Sequence, residues 1–510
     1  MWHPPLYIYS TALCVRLFGD GPVQLRLVGL LSVLAAAGML FLLARDTAPG
    51  AEEGKRRAHA AVALYLLSPL AVQMALLLDI DNSVLTAALL AFLLFFHRHA
   101  AEPSPATAFR TGLAFGACLL AKMTTPLLLP VAAAAGWCRE AGPRRATASV
   151  LLVFATGATA FTALLGGYCL LTGMPFDMPW KHNFLRHLPG AVAHTTSYGA
   201  LSGPLFRAAY HAWMGKNAIL WLSPFLLLLA LPETLRIARE GSRSETTAAF
   251  LAWASLGGYI YVQVIVAGFP KYIGVTLPLM TWLAAPAAVG AARAVRESAR
   301  ARALGVASAV SLALFVLLFG DPFPQALLTY RGSERIVVTS ILLGYGLPLA
   351  AGTALFLWIG RGASIAPRQC VALWLLTAWL GSSASLLARQ CANNYESRYF
   401  YGQTGFEEVV ARLKQLVRPG DTPLCLLDVA HYAGCDFLLA TEGNYARPQL
   451  AAQLAEPRVS AVVYRVRELE DPARHPTLRP LFERYFEPPE SYGSFGLMRR
   501  KGVPARPGSS

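Results

Sequence analysis

Apolar stretches recur along most of the chain. They lie near residues 23–44, 59–78, 147–173, 216–235, 247–267, 272–292, 304–320, 336–359 and 370–388, each close to the ~20 residues that cross a bilayer as a helix. Shorter, fully apolar runs at 83–97, 110–121 and 123–138 bring the predicted total to about twelve spans. Helix is the assignment that hydrocarbon permits, because each segment must satisfy its own backbone hydrogen bonds.

The polar gaps between these runs alternate in charge. Loops 45–58, 98–110, 139–146, 236–246, 293–303 and 360–369 hold 18 Lys and Arg, whereas 79–82, 122, 174–215, 268–271 and 321–335, of similar total length, hold seven. Basic loops stay in the cytoplasm, so the first set is predicted cytoplasmic and the second extracytoplasmic. Met1 and everything after about residue 389 then fall outside, and a further span is expected upstream of Met1. Residues 5–18 (PLYIYSTALCVRLF) are too short to span and carry Arg16. They predict a helix lying in the outer interface.

From about residue 400 the pattern changes. Charges are interspersed, β-like runs appear at 425–430 (CLLDVA) and 459–466 (VSAVVYRV), and a helical pattern at 405–417 precedes the turn RPGD. The fold class predicted is thus mainly α: a polytopic transmembrane bundle with a small α/β extracytoplasmic domain. Residues 1–22 close an outer loop, 23–388 form the multi-span domain with outer loop 174–215, and 389–510 form the outer domain with a disordered tail.

Composition agrees with a lipid environment. The chain is 55% hydrophobic and 14% charged, with mean hydropathy +0.45, where a soluble protein is about 25% charged. The net charge of +15 is explained by loop placement rather than by nucleic acid, and no nucleic-acid partner is implied. The eight cysteines show no CxxC pair and no zinc-like Cys/His spacing. Cys425 and Cys435 are close enough in sequence to bridge, though buried thiols fit equally, and Cys391 complicates any pairing.

Candidate chemistry lies at the predicted outer ends of the spans, where ionisable groups are costly and often functional. Asp79 and Asp81 form a paired carboxylate able to deprotonate a hydroxyl or hold a divalent metal. Asp81, Asn82 and Ser83 also suit the N-cap of the next helix, and the two readings are compatible. Lys122 and Lys271 are single cations at outer corners, each either a phosphate partner or a snorkelling lysine. The loop 174–215 packs Asp177, Trp180, Lys181, His182, Asn183, Arg186 and His187 into a short stretch that suits a sugar and a phosphate together. Trp180, Tyr198, Tyr210 and Trp213 read equally well as an interfacial aromatic belt, with the basic residues at lipid headgroups.

The segment WHPPLYIYSTALCVRLFGDGPVQLRLVGLL (2–31), Asp79 to Asn82, GLAFGACLLAKMTTPLLLP (112–130), KHNFLRH (181–187) and PKYIGVTLPL (270–279) together resemble the GT-C glycosyltransferases. The similarity is to the branch with protein O-mannosyltransferases and the aminoarabinose transferases of lipid A. The resemblance implies transfer of a sugar from a polyprenyl-phosphate donor to a lipid, glycan or protein acceptor outside the plasma (bacterial inner) membrane. No cofactor is predicted, with a divalent metal left as an open alternative. The resemblance also implies Asp79 and Asp81 as second-loop acidic positions, Lys122, Lys181, Arg186 and Lys271 as donor-phosphate partners, and His3 and His182 as organisers of their loops. The family's principal acidic residue precedes the HPPL segment (His3 to Leu6), upstream of where this sequence begins, which puts the activity of the chain as it stands in doubt. A transporter or flippase is the competing class, but no internal repeat is visible and the ionisable residues sit at span ends rather than at the midplane. A scaffold for the outer domain leaves the acidic and basic corners unexplained.

Overall fold

The computed structural model describes residues 5–19, 22–76, 84–122, 128–137, 143–173, 222–262, 273–299, 366–392, 405–440, 448–466 and 478–502, with scattered positions between them. The chain divides into two compact units, residues 1–327 with 332–386 and residues 328–331 with 387–510.

The described part of the first unit is helical: α1 (Pro5–Phe18), α2 (Pro22–Asp46), α3 (Ala51–Leu66), α4 (Pro69–Leu76), α5 (Val84–Ala101), α6 (Pro105–Ala121), α7 (Leu128–Trp137), α8 (Pro143–Thr172), α9 (Pro224–Glu240), α10 (Arg243–Val262), α11 (Thr276–Glu297) and α12 (Pro367–Ala392). Among the described residues, Val23–Asp46, Val84–Ala101 and Val150–Thr172 are long and apolar enough to cross a membrane, and α3 with α4 makes a fourth if that pair is one bent span. The predicted spans 304–320 and 336–359 lie largely or wholly outside the described residues.

Three predicted spans differ in detail. The run 59–78 is broken between α3 and α4 by a 66° bend, at Pro69, which has no N–H to continue the ladder; the Ser68 N–H turns back to Tyr65 O at 3.1 Å. Helix α6 starts at Pro105, before the predicted 110, because Ser104 and Thr107 close a capping box there. Helix α11 starts at Thr276 rather than 272, and its first hydroxyl lies 2.8 Å from Ser255 of α10. Ser255 is seven residues short of the end of α10, or about 10 Å at the helical rise. So the first turn of α11 lies level with Ser255 of α10, and Val275 and Thr276 are already buried.

Small residues allow close helix contacts. A Cβ on Gly112 would stand 2.7 Å from Thr156 Cβ and 2.8 Å from Val153 O, and one on Gly116 would stand 3.1 Å from Gly157 O. The pairs 112 with 153/156 and 116 with 157/160 rise together, so α6 and α8 run parallel. This is the close approach that small residues four apart allow in lipid. Phe92 of α5, Phe115 of α6 and Phe154 of α8 fill the space beside it, with Phe115 and Phe154 edge to face at 4.8 Å.

The second unit carries α13 (Phe406–Leu416), β1 (Leu424–Cys425), α14 (Leu427–Ala433), β2 (Leu438–Leu439), α15 (Pro448–Ala455), β3 (Ala461–Arg465), α16 (Arg479–Tyr485), β4 (Glu490–Tyr492) and β5 (Phe495–Arg499). The sheet order is β2-β1-β3-β5-β4, parallel across β2-β1-β3 and antiparallel across β3-β5-β4. The RPGD turn closes through Asp421 N–H to Arg418 O at 3.0 Å, with Gly420 at φ +88°, a value that glycine adopts without strain. The strand predicted over 425–430 ends at Cys425: residues 427–433 are helical, with Leu427 outward and Val429 and Ala430 buried. Gly434, at φ +68°, stops that helix by donating to Ala430 O at 2.9 Å. Cys425 and Cys435 are both free thiols, so no bridge joins them. Burial pushes the Cys425 thiol well above its ordinary value.

Candidate functional site

Polar side chains at one end of the helical unit join four of the six basic loops. Glu53, in the first turn of α3, accepts from Arg57 at 3.1 Å and from Arg293 of α11 at 3.3 Å. Arg57 also reaches Glu233 of α9 at 3.3 Å, and Arg236 bridges Glu233 at 2.9 Å and Glu245 of α10. The second oxygen of Glu245 takes the N–H and the hydroxyl of Ser242, each at 2.8 Å. Beside this chain, Arg98 of α5 meets Asp46 at the end of α2 at 3.3 Å, and His97 Nδ1 lies 2.6 Å from Ser244 Oγ. Loops 45–58, 98–110, 236–246 and 293–303 therefore share one end.

The helices then fix what lies away from that end. Helix α5 reaches the network at His97, so its start at Val84 is at the far end, after the stretch that holds Asp79 and Asp81. Helix α6 begins on the network side, where Thr107 Oγ1 is 2.8 Å from His99 Nδ1, and stops at Ala121. Lys122 is its C-cap, with extended backbone (φ −157°, ψ 132°) and its N–H on Cys118 O at 2.9 Å. Helix α8, parallel to α6, ends at Thr172 on the same side. Tyr9 of α1 packs edge to face on Tyr168 near that end, with ring centroids 5.9 Å apart.

Of the residues singled out in the sequence, Lys122 alone is within the described set, half-buried at the far end of α6. Asp79, Asp81, His3, Lys181, His182, Arg186 and Lys271 lie outside it, as do Asp177 and Trp180. Among the described residues, no three of His, Cys, Asp and Glu gather in a way that would hold a metal.

Arg16 drew attention in the sequence only as an obstacle to spanning. It lines a shallow, open apolar concavity of about 460 Å³ along α1 together with Tyr7, Ile8, Thr11, Ala12 and Val15. Apolar positions at helical spacing ending on one cation were visible in the sequence; which face of α1 stays uncovered was not.

Residues 2–165 match the family model described as dolichyl-phosphate-mannose-protein mannosyltransferase. Among solved structures the chain is similar to ArnT from Cupriavidus metallidurans bound to undecaprenyl phosphate, at 17% identity and a TM-score of 0.53 over 99% of this chain and 89% of that one. The apo form of the same protein gives 16% identity and a TM-score of 0.51 over 97% and 87%. No curated protein sequence matches. At such identity the structural likeness shows the fold alone, one shared with ArnT.

Proposed function

We propose that this chain, with the GT-C fold and an amino-terminal third that matches a mannosyltransferase family, transfers a sugar from a polyprenyl-phosphate carrier to an acceptor hydroxyl at the extracytoplasmic face of the bacterial inner membrane. The acceptor is a lipid, a glycan or a protein. The observation that carries this reading is the family match over 2–165: it covers the segments with His3, Asp79, Asp81 and Lys122, and the helices flanking the last three turn at the end away from the basic loops.

In this reaction Asp79 or Asp81 takes the proton of the acceptor hydroxyl, the oxygen attacks the anomeric carbon, and the bond from that carbon to the phosphate oxygen breaks. The polyprenyl phosphate leaves with the bonding electron pair. Lys122, Lys181, Arg186 and Lys271 stabilise the negative charge that grows on it, while His3 and His182 order their loops. The undecaprenyl phosphate held by the comparison structure supports a carrier of this class. The shallow concavity on α1, with Ile8, Ala12 and Val15 beside Arg16, suits an isoprenoid chain ending in a phosphate. The second unit lies on the same outer side in this reading.

The test is sugar transfer by the protein in lipid nanodiscs, followed as release of polyprenyl phosphate. Asp79→Asn and Asp81→Asn are expected to lower turnover by about 10²- to 10⁴-fold, the range of a general base, with normal expression. Parental turnover in both variants would remove the carboxylates from the mechanism.

A further inference from the structure

We propose that the ends of α2 and α5 hold the phosphate of an anionic phospholipid between Arg45 and Arg98. Both guanidinium groups turn to one carboxylate: Asp46 Oδ1 accepts from Arg45 at 2.8 Å and Asp46 Oδ2 from Arg98 at 3.3 Å. One carboxylate neutralises one guanidinium, so this corner keeps an excess positive charge. The two arginine side chains are 41% and 46% exposed and that of Asp46 is 19% exposed, which leaves the cations outermost. Gly54 packs the first turn of α3 against Arg45 O, where a Cβ would stand 2.7 Å away. The carboxylates of that turn are already committed, Glu52 to Lys55 and Glu53 to Arg57 and Arg293. His97, beside Arg98 in the chain, lies 2.6 Å from Ser244 Oγ.

The position of the pair selects a lipid over a soluble anion. The apolar span of α2 ends at Asp46, where hydrocarbon gives way to headgroups. Along α2, Leu31, Leu34, Gly38 and Arg45 are exposed and Leu42 is half-buried, and steps of three and four residues put them on a single helix face. A Cβ on Gly38 would meet nothing within 4 Å, so the middle of this face is open to an acyl chain. From Leu34 to Arg45 the helix rises about 16 Å, close to the ~15 Å that half of the hydrocarbon core provides. A chain lying on that face therefore brings its phosphate level with Arg45. Guanidinium groups pair with phosphate oxygens in a fixed fork, and basic corners at the cytoplasmic side of helices attract anionic headgroups. The site lies at the end of the helices opposite to Lys122 and does not depend on the transferase reading.

The experiment titrates the full chain in detergent with phosphatidylglycerol or phosphatidylcholine of identical acyl chains and counts bound lipid by native mass spectrometry. The parent is expected to prefer phosphatidylglycerol. Its affinity for that lipid should fall about fivefold in Arg45→Gln and in Arg98→Gln, and about 25-fold in the double variant. Arg239→Gln combined with Arg296→Gln removes the same charge from the same end and is expected to keep the parent's preference. Asp46→Asn, which leaves both arginines without their shared carboxylate, is expected to bind phosphatidylglycerol at least as tightly as the parent; lost binding there would reduce the arginines to a structural tie and overturn the proposal. An equal response to phosphatidylcholine in the parent, or a preference unchanged in the single and double arginine variants, would also overturn it. So would inorganic phosphate that displaces the lipid at equal concentration, since the pair would then read a soluble anion.

Discussion

Among the described residues of the helical unit, close helix contacts are made by residues with almost no side chain, such as Gly112, Gly116, Gly136 and Gly157, and ion pairs at the helix ends join residues far apart in sequence. In the carboxyl-terminal unit the centre is filled by Val409, Leu413, Leu424, Val462, Phe482, Phe495 and Leu497, and Arg500 is drawn inward. Its guanidinium donates to Leu454 O and Ala455 O at 2.9 and 2.8 Å, closing the end of α15, and lies over the ring of Tyr485. The difference follows the solvent. Water drives large apolar side chains together at about 25 cal/mol per Å², so the carboxyl-terminal unit is built on bulk. Lipid supplies no such drive, and helices there rely on close backbone approach and on polar groups where the apolar phase ends.

Two substitutions set the units against each other. Phe482→Ala empties a fully buried site and is expected to cost about 3–5 kcal/mol, opening the carboxyl-terminal unit to protease while the helical unit keeps its cleavage pattern. Gly112→Val, which puts side-chain atoms where Thr156 and Val153 already stand, is expected to cost roughly 1–3 kcal/mol, seen as a lower Tm of the helical unit in detergent. Equal tolerance of both changes would mean that the two units are not held by different means.

A smaller effect concerns pH. The paired hydrogen bonds from Arg412 to Glu490, at 3.0 and 3.1 Å, with the Tyr492 hydroxyl at 2.5 Å, hold the Glu490 carboxyl below its usual range. A carboxyl with a depressed folded pKa stabilises the fold above its unfolded pKa, and that stability is lost as pH falls through the folded value. The Tm of the parent is therefore expected to exceed that of Glu490→Gln near neutral pH, with the gap closing in acid. A gap independent of pH would show that Glu490 contributes by packing alone.

The helices were largely legible in the sequence because hydrocarbon admits few alternatives: α2, α5 and α8 follow from runs of apolar residues alone. Four of the six basic loops, 45–58, 98–110, 236–246 and 293–303, share one end as their charge predicted. Their ion partners were not legible. Arg57 meets Glu233 across 176 positions and Arg293 meets Glu53 across 240, and a count of basic residues cannot show which carboxylate answers which cation. Proline and glycine misled or informed locally: Pro69 divides a run that reads as one span, and Gly434 ends a helix where CLLDVA reads as a strand. Leu427 and Asp428 belong to both patterns, and burial of Val429 and Ala430 on one helical face decides between them. For the candidate site, the place of Lys122 at the end of α6 was legible from its position between two apolar runs, whereas the concavity beside Arg16 was not, because it depends on which face of α1 is uncovered.

The account turns on the side of the membrane to which the far ends of the helices open. Single cysteines at Asp79, Lys122 and Lys271, in a variant free of its own reactive thiols, are to be labelled in intact cells with a membrane-impermeant maleimide, with cysteines at Arg98 and Arg293 for comparison. Labelling of the first group from outside, and of the second only after permeabilisation, is the predicted result. The reverse pattern would place the acidic and basic residues in the cytosol and contradict the assignment of a lipid-linked sugar donor on the outer face.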